Sequence, residues 1–304
     1  MTTSEVLEGL VLPPLRRPRY GSHLPPVVSG MNRAGSVGKT TFGLNLCVQA
    51  ALGGSKVLGI DADLQSDMSY WCGYDGDLIP DGVMTVHDVM LGRATLAEAT
   101  VPGRTRVAAG DSDGAFAVIE GFDLVRGSKK MSQADSELTM DPAGVFWLQR
   151  VLKKQIVEGQ YDLIYIDCPA SLGRLSVSLL LAAVDVIVAM KPTRKELRGA
   201  AALGIAIDEI ATEFEEFGAS AQASYYLINE AKSTNSQGAF YMNMQKEAEE
   251  LFEGRLLPFI GPSVRIPEAY DAQEPVVFWD PSTPLVPIVN NVLTALQFPT
   301  KELV

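Results

Sequence analysis

The chain has 304 residues, 47% of them hydrophobic, enough to build the core of one large α/β domain or two smaller ones. Its net charge of −12 excludes a surface coated in basic residues, so any nucleic-acid contact has to come from a local patch. Three widely spaced cysteines (Cys47, Cys72 and Cys168) and only two histidines exclude a disulfide framework and a histidine-rich metal cluster, and predict reduced, mostly buried thiols.

In chain order, the first 26 residues carry Pro13-Pro14, Pro25-Pro26, Arg16, Arg17 and Arg19, which predicts an extended Pro/Arg-rich arm. Acids precede its short apolar stretch and arginines follow it, an order unlike that of a secretory signal. The longest uncharged apolar stretch, Leu175 to Val184, is too short to cross a hydrocarbon core of about 30 Å, so a cytoplasmic protein outside the membrane is expected. From Val27 onward, short β-branched runs alternate with helical patterns: strand 27–30, helix 39–53, strand 56–61, strand 161–167, helix 172–183, strand 185–190, strand 224–228, helix 239–253, a strand near 256–260 and a closing helix over 285–297. The stretch 101–140, rich in Gly, Ser and Asp, predicts loops around one short strand at 122–125. Such alternation places parallel strands beside crossover helices. The expected fold class is therefore α/β, a doubly wound and mostly parallel sheet with helices on both faces, filling residues 27–304 as one domain.

Three motifs carry chemistry. Gly35-Ser36-Val37-Gly38-Lys39-Thr40-Thr41 follows an apolar strand and opens a helical pattern, the context of a P-loop. Small residues let backbone N–H groups curl around phosphate oxygens, Lys39 reaches the β- and γ-phosphates, and Thr40 can ligate Mg²⁺. The strict pattern also wants glycine at position 33, where Arg33 stands. Asp61-Ala62-Asp63-Leu64-Gln65 follows the second strand, where open α/β sheets place ligands; one carboxylate can activate the attacking water while the other serves the magnesium shell. The third run, Tyr161 to Pro169, is an apolar strand ending in Asp167, the metal's expected protein anchor.

Taken in order, GSVGKTT, DADLQ, DCPASLG and a strand followed by KPT resemble the ParA/MinD group of deviant Walker P-loop ATPases, and the ParA partition branch in particular. TVHDVMLGRATLAEA (85–99), LVRGSKKMSQADSEL (124–138) and GPSVRIPEAYDAQEPV (261–276) continue the similarity, which runs from Val27 to about Leu296. The resemblance implies an ATP- and Mg²⁺-dependent ATPase whose homodimer sandwiches nucleotide, binds DNA without sequence preference on the nucleoid, and is stimulated by a ParB-like centromere-binding or cargo-adaptor partner. It further implies that Gly35 to Thr41 hold the phosphates and that Asp63 matters most for hydrolysis. Asp61 and Asp167 would serve the metal region, Asn229 and the turn from Pro258 would border the adenine, and Arg265 and Lys232 would meet DNA. One departure stands out: the family's additional lysine, which reaches the partner's phosphates, falls on Ala34, with Arg33 beside it.

Four functions fit to different degrees. Plasmid or chromosome partition leads; a related ATPase positioning another intracellular body shares every motif, and Ala34 favours it. A membrane-surface switch would need a basic amphipathic tail, which NNVLTALQFPTKELV lacks. A nucleotide-binding assembly module with little hydrolysis is opposed by Lys39, Asp63 and Asp167. Basic patches for DNA are further offered by Arg16, Arg17 and Arg19, by Lys191 to Arg198, and by Arg255.

Overall fold

The computed structural model describes residues 11–16, 23–33, 35, 37–107, 115–231 and 239–300. Among them, seven strands form one sheet: β1 (Val27–Met31), β2 (Val57–Asp61), β3 (Thr100–Arg106), β4 (Phe116–Val125), β5 (Leu163–Asp167), β6 (Asp185–Met190) and β7 (Gln222–Ile228). Their order is β3-β4-β2-β5-β1-β6-β7, and every pair is parallel except β3 with β4. Helices of five or more residues that bear on the site are α1 (Lys39–Leu52), α2 (Asp67–Trp71), α3 (Trp147–Gln155), α4 (Arg174–Ala182), α5 (Arg194–Glu213), α6 (Ala239–Leu251), α7 (Arg265–Ala272) and α8 (Leu285–Ala295).

β1, β2, β5 and β6 are buried at every position, as expected of parallel strands covered on both faces. The two-residue period of a strand divides them between two cores. Val27, Met31, Ile164, Ile166, Val186 and Val188 meet α3, α4, α5 and α6 on one side. Val28, Leu163, Tyr165, Ile187 and Ala189 meet α1, α7 and α8 on the other. The doubly wound plan read from the sequence is thus the observed one.

Three local differences have physical causes. The predicted loop region holds the antiparallel pair β3–β4, hidden in the sequence by Pro102, Gly103 and two arginines in one strand. Gly103 is needed there, because a methyl group at that position would fall 2.1 Å from the Phe122 ring. Around 256–260 the chain does run beside β7, with Leu257 N–H donating to Tyr226 O (2.9 Å) and Ile260 N–H to Ile228 O (3.0 Å). Pro258 offers no N–H between them, and the contact stays a single isolated bridge rather than a strand. Helix α5 begins in the cationic run RKELR, which obscures it. Its apolar stripe of Leu197, Ala200, Ala201, Gly204, Ile207 and Ala211 is nonetheless helical in spacing, and the Thr193 side chain caps it by accepting from Glu196 N–H.

Residues 11–16 lie along α5 and β7. Leu12 packs against the core, Arg16 N–H donates to Gln222 Oε1 (2.7 Å), the Arg16 guanidinium pairs with Asp208, and Arg255 donates to the Pro13 carbonyl.

Candidate nucleotide-binding site

β1 lies between β5 and β6, while the chain leaving it crosses by α1 to β2 beyond β5, so the sheet's switch point falls at the C-terminal end of β1, where such folds bind ligands. A cavity of about 460 Å³ opens there. Gly35, Val37, Gly38, Lys39, Thr40 and Thr41 line one wall, Asp63, Leu64, Gln65 and Asp67 a second, and Pro169 to Ser171 a third. The sequence motifs therefore converge on one hollow.

Glycine at position 38 is required twice over. Its φ of 92° is left-handed, and a methyl group would fall 2.5 Å from Asn229 Nδ2. Beneath the loop, the buried Tyr165 side chain occupies the space that side chains at 30 and 43 would fill: a methyl group would stand 2.1 Å from its hydroxyl at Gly30 and 2.1 Å from its ring at Gly43. Tyr165 fixes the height of α1 against the sheet, a part that the sequence motif does not announce.

Lys39 Nζ donates to Asp63 Oδ2 (3.2 Å), and Thr40 Oγ1 donates to Asp167 Oδ2 (2.6 Å). Asp63 Oδ1 accepts from Gln65 N–H (3.1 Å), which folds the acidic turn toward the loop. Burial opposes the charge on Lys39, but Asp167 and Asp63 outweigh it and hold the ammonium's pKa above its ordinary value. Burial pushes the Asp167 carboxyl up to about 6, against the lowering influence of Lys39. Its Oδ1 is buried with no protein partner among the described residues. An orphaned carboxylate oxygen beside a threonine hydroxyl suits Mg²⁺, which takes one or two protein ligands and completes its shell with water and phosphate. No cluster of three or more metal-ligating side chains is present among the described residues.

The remaining sequence candidates are placed differently. Asp61 sits across from Asp167 in the β2–β5 register but does not line the cavity: its Oδ2 accepts from Ser69 N–H (2.8 Å) and Ser69 Oγ (2.6 Å). Burial and the nearby Asp167 charge raise its pKa strongly. Asn229 touches the loop from outside, donating to Val37 O (3.3 Å), and Pro258 is exposed away from the cavity lining. Ser36, Ala34 and Lys232 lie outside the described residues. Arg33 lines a separate hollow with Lys195 and Glu196. Arg265 is 56% exposed and paired with Glu268 (3.0 Å) and Asp280 (3.7 Å). Lys191 and Arg194 of the basic run also meet carboxylates, Glu230 and Glu247, both at 3.0 Å. The cavity residue missed by sequence reading is Asp67, four positions after Asp63, whose spacing across a turn was its only signal.

The AAA_31 family, described as "AAA domain", matches residues 26–217. The chain is similar to the chromosome-partitioning ATPase Soj of Treponema pallidum, 33% identical over 163 residues, or 53% of this chain, and it spans about half (55%) of that relative's length. It is also similar to the sporulation initiation inhibitor protein Soj of Bacillus subtilis, 23% identical over 84% of this chain and 91% of the relative. In fold it resembles a Cyanothece McdA–ATP complex, with a TM-score of 0.72 at 22% identity over 93% of this chain and all (100%) of that one.

Proposed function

Because the chain belongs to the ParA-type partition ATPases of the AAA_31 domain family, we propose that it hydrolyses ATP with Mg²⁺ and uses the nucleotide to control its assembly on DNA. In this reading a homodimer sandwiches ATP, binds nonspecific DNA on the nucleoid, and is released when a ParB-like partner stimulates hydrolysis. The observation that carries it is the pairing, at one P-loop, of the cavity residues Lys39 and Asp63 and of Thr40 with the buried Asp167 beneath it.

Each residue has a chemical part. The backbone from Gly35 to Thr41 and the N-terminus of α1 receive phosphate oxygens. Lys39, charged at neutral pH, exchanges Asp63 for the β- and γ-phosphates. Asp63, freed of that partner, orients the attacking water. Thr40 and Asp167 would hold Mg²⁺, which when bound would neutralise developing charge on the phosphates. Asp61 fastens Ser69 and so supports the acidic turn, while Asn229 braces the loop at Gly38. Turnover is slow, because position 34 is alanine and Arg33 lines another hollow. DNA is met at Arg265 and Lys232.

Ala34 also favours the second reading, a ParA-like ATPase that positions another intracellular body; the ATP chemistry is common to both. No helix among the described residues is long and apolar enough to cross a membrane. Retention on nonspecific duplex DNA, measured with ATP, with ADP and without nucleotide across a salt series, tests the proposal. ATP-selective retention that weakens steeply with salt is expected. Binding indifferent to nucleotide would sink it.

A further inference from the structure

The acidic wall of the cavity, Asp63 to Gln65 and Asp67, runs directly into α2. Between these lining residues stands Ser66, a non-glycine residue with φ of 56°, whose buried Oγ has no partner among the described residues. A left-handed serine at such a turn marks backbone held by its surroundings.

Ser66 itself lies against Gly76 and Gly127, while the helix that follows it, α2, is also held from the far end of the sequence. Tyr270 Oη donates to Asp67 Oδ1 (2.8 Å), Gln273 Nε2 donates to Tyr70 O (2.8 Å), and Trp71 Nε1 donates to Glu274 O (2.9 Å). The Tyr270 ring also packs on Tyr70 (centroids 4.9 Å apart) and edge-on to Trp71 (5.3 Å). Gln273 is itself left-handed, with φ of 54°, and its Oε1 accepts from Arg106 of β3 (2.8 Å). These three hydrogen bonds join α2 to the C-terminal end of α7 and the two residues after it, beside those that fix Ser69 to Asp61 and Gly127. Arg265 begins the same helix, which at about 1.5 Å per residue is roughly 12 Å long and can move as one piece.

We propose that Tyr270 is a positioning residue that ties the contents of the nucleotide cavity to the orientation of α7, and through it to the surface around Arg265. Asp67 is at once a wall of the cavity and the acceptor for Tyr270. Phosphate entering the cavity repels its carboxylate, and a metal attracts it; either changes the geometry of the bond to Tyr270. The left-handed Ser66 supplies the joint about which Asp67 turns, while Gln273 and Trp71 keep α2 and α7 in step. This inference rests on nucleotide binding at the P-loop cavity, but Tyr270 and Gln273 lie outside the cavity lining.

The test is amide hydrogen exchange over 265–274, with and without a non-hydrolysable ATP analogue and Mg²⁺, in the whole chain and in Tyr270→Phe, with analogue affinity measured alongside. Wild type should change protection across α7 by about tenfold on binding, and Tyr270→Phe by under about twofold, with affinity kept within about threefold. Gln273→Ala provides a second arm if the first variant folds poorly, and it should also blunt the response. If wild type binds the analogue while α7 does not respond, or if both variants respond as wild type does, the inference is overturned and the ATP reading stands. Failure of wild type to bind the analogue overturns both.

Discussion

Lys39 Nζ and Asp63 Oδ2 stand 3.2 Å apart, with side chains only 8% and 11% exposed. The cation suited to the phosphates and the carboxylate suited to the attacking water are therefore neighbours in one desolvated site. In the proposed reading a phosphate entering the loop would compete with Asp63 for Lys39, so that binding would also release the carboxylate assigned to hydrolysis.

That pairing separates the two substitutions. Lys39→Ala should weaken Mg·ATP binding roughly 10- to 100-fold, the scale of a charged hydrogen bond. Asp63→Ala should keep affinity within about threefold, because Lys39 retains the Asp167 charge nearby, and yet cut turnover by about 10³. Titration calorimetry and single-turnover hydrolysis read these separately. Equal loss of binding in both variants would contradict the assigned parts.

Thr40→Val removes the hydroxyl that Asp167 Oδ2 accepts from at 2.6 Å, leaving both oxygens of a buried carboxylate without a protein donor. A loss of about 1–3 kcal/mol in stability and the disappearance of Mg²⁺-dependent nucleotide binding are expected, while Thr40→Ser should retain both. Denaturant unfolding and a Mg²⁺ titration decide.

The pH response follows from Asp167. Its folded pKa of about 6 lies above the ordinary 3.8, so between those values the native state holds more protons than the unfolded chain. Stability of the metal-free protein should fall as pH rises from about 4 to 6 and level off above, by an amount on the order of 3 kcal/mol. Asp61, also raised, adds in the same direction. Unfolding in urea with a chelator at pH 5 and pH 7 shows the sign, and Asp167→Asn should flatten the slope. Mg²⁺ should stabilise more at pH 7 than at pH 5, because it competes with the proton.

Gly43→Ala places a methyl group 2.1 Å from the Tyr165 ring, in a part of the core with no slack. It should cost about 1–3 kcal/mol, and Tyr165→Leu should recover part of that. At Gly38 the backbone itself resists, so Asn229→Ala should not rescue Gly38→Ala. Thermal unfolding of the single and double variants checks both.

Motifs whose residues stand close together in the chain were legible in the sequence. Gly38, Lys39 and Thr40 need particular residue types at fixed spacing after a strand, and β-branched runs betrayed β1, β2, β5 and β6. Contacts made across long separations were not. Tyr270 reaches Asp67 from 203 positions away, and nothing in local spacing joins them. Cationic stretches misled in a related way: RKELR reads as a solvated patch, yet it opens the 20-residue helix α5, with Arg194 tied to Glu247. Strand β3 was obscured because Gly103 and Pro102 read as a turn until Phe122 is seen to occupy the space beside the glycine.

Steady-state release of phosphate from ATP by the purified chain, with Mg²⁺ and with chelator, in wild type, Lys39→Ala and Asp63→Ala, bears most directly on the proposed ATPase. Slow Mg²⁺-dependent turnover that both substitutions abolish is the expected result. Turnover that persists in either variant, or none in wild type that binds ATP with DNA present, would contradict hydrolysis at the Lys39–Asp63 site.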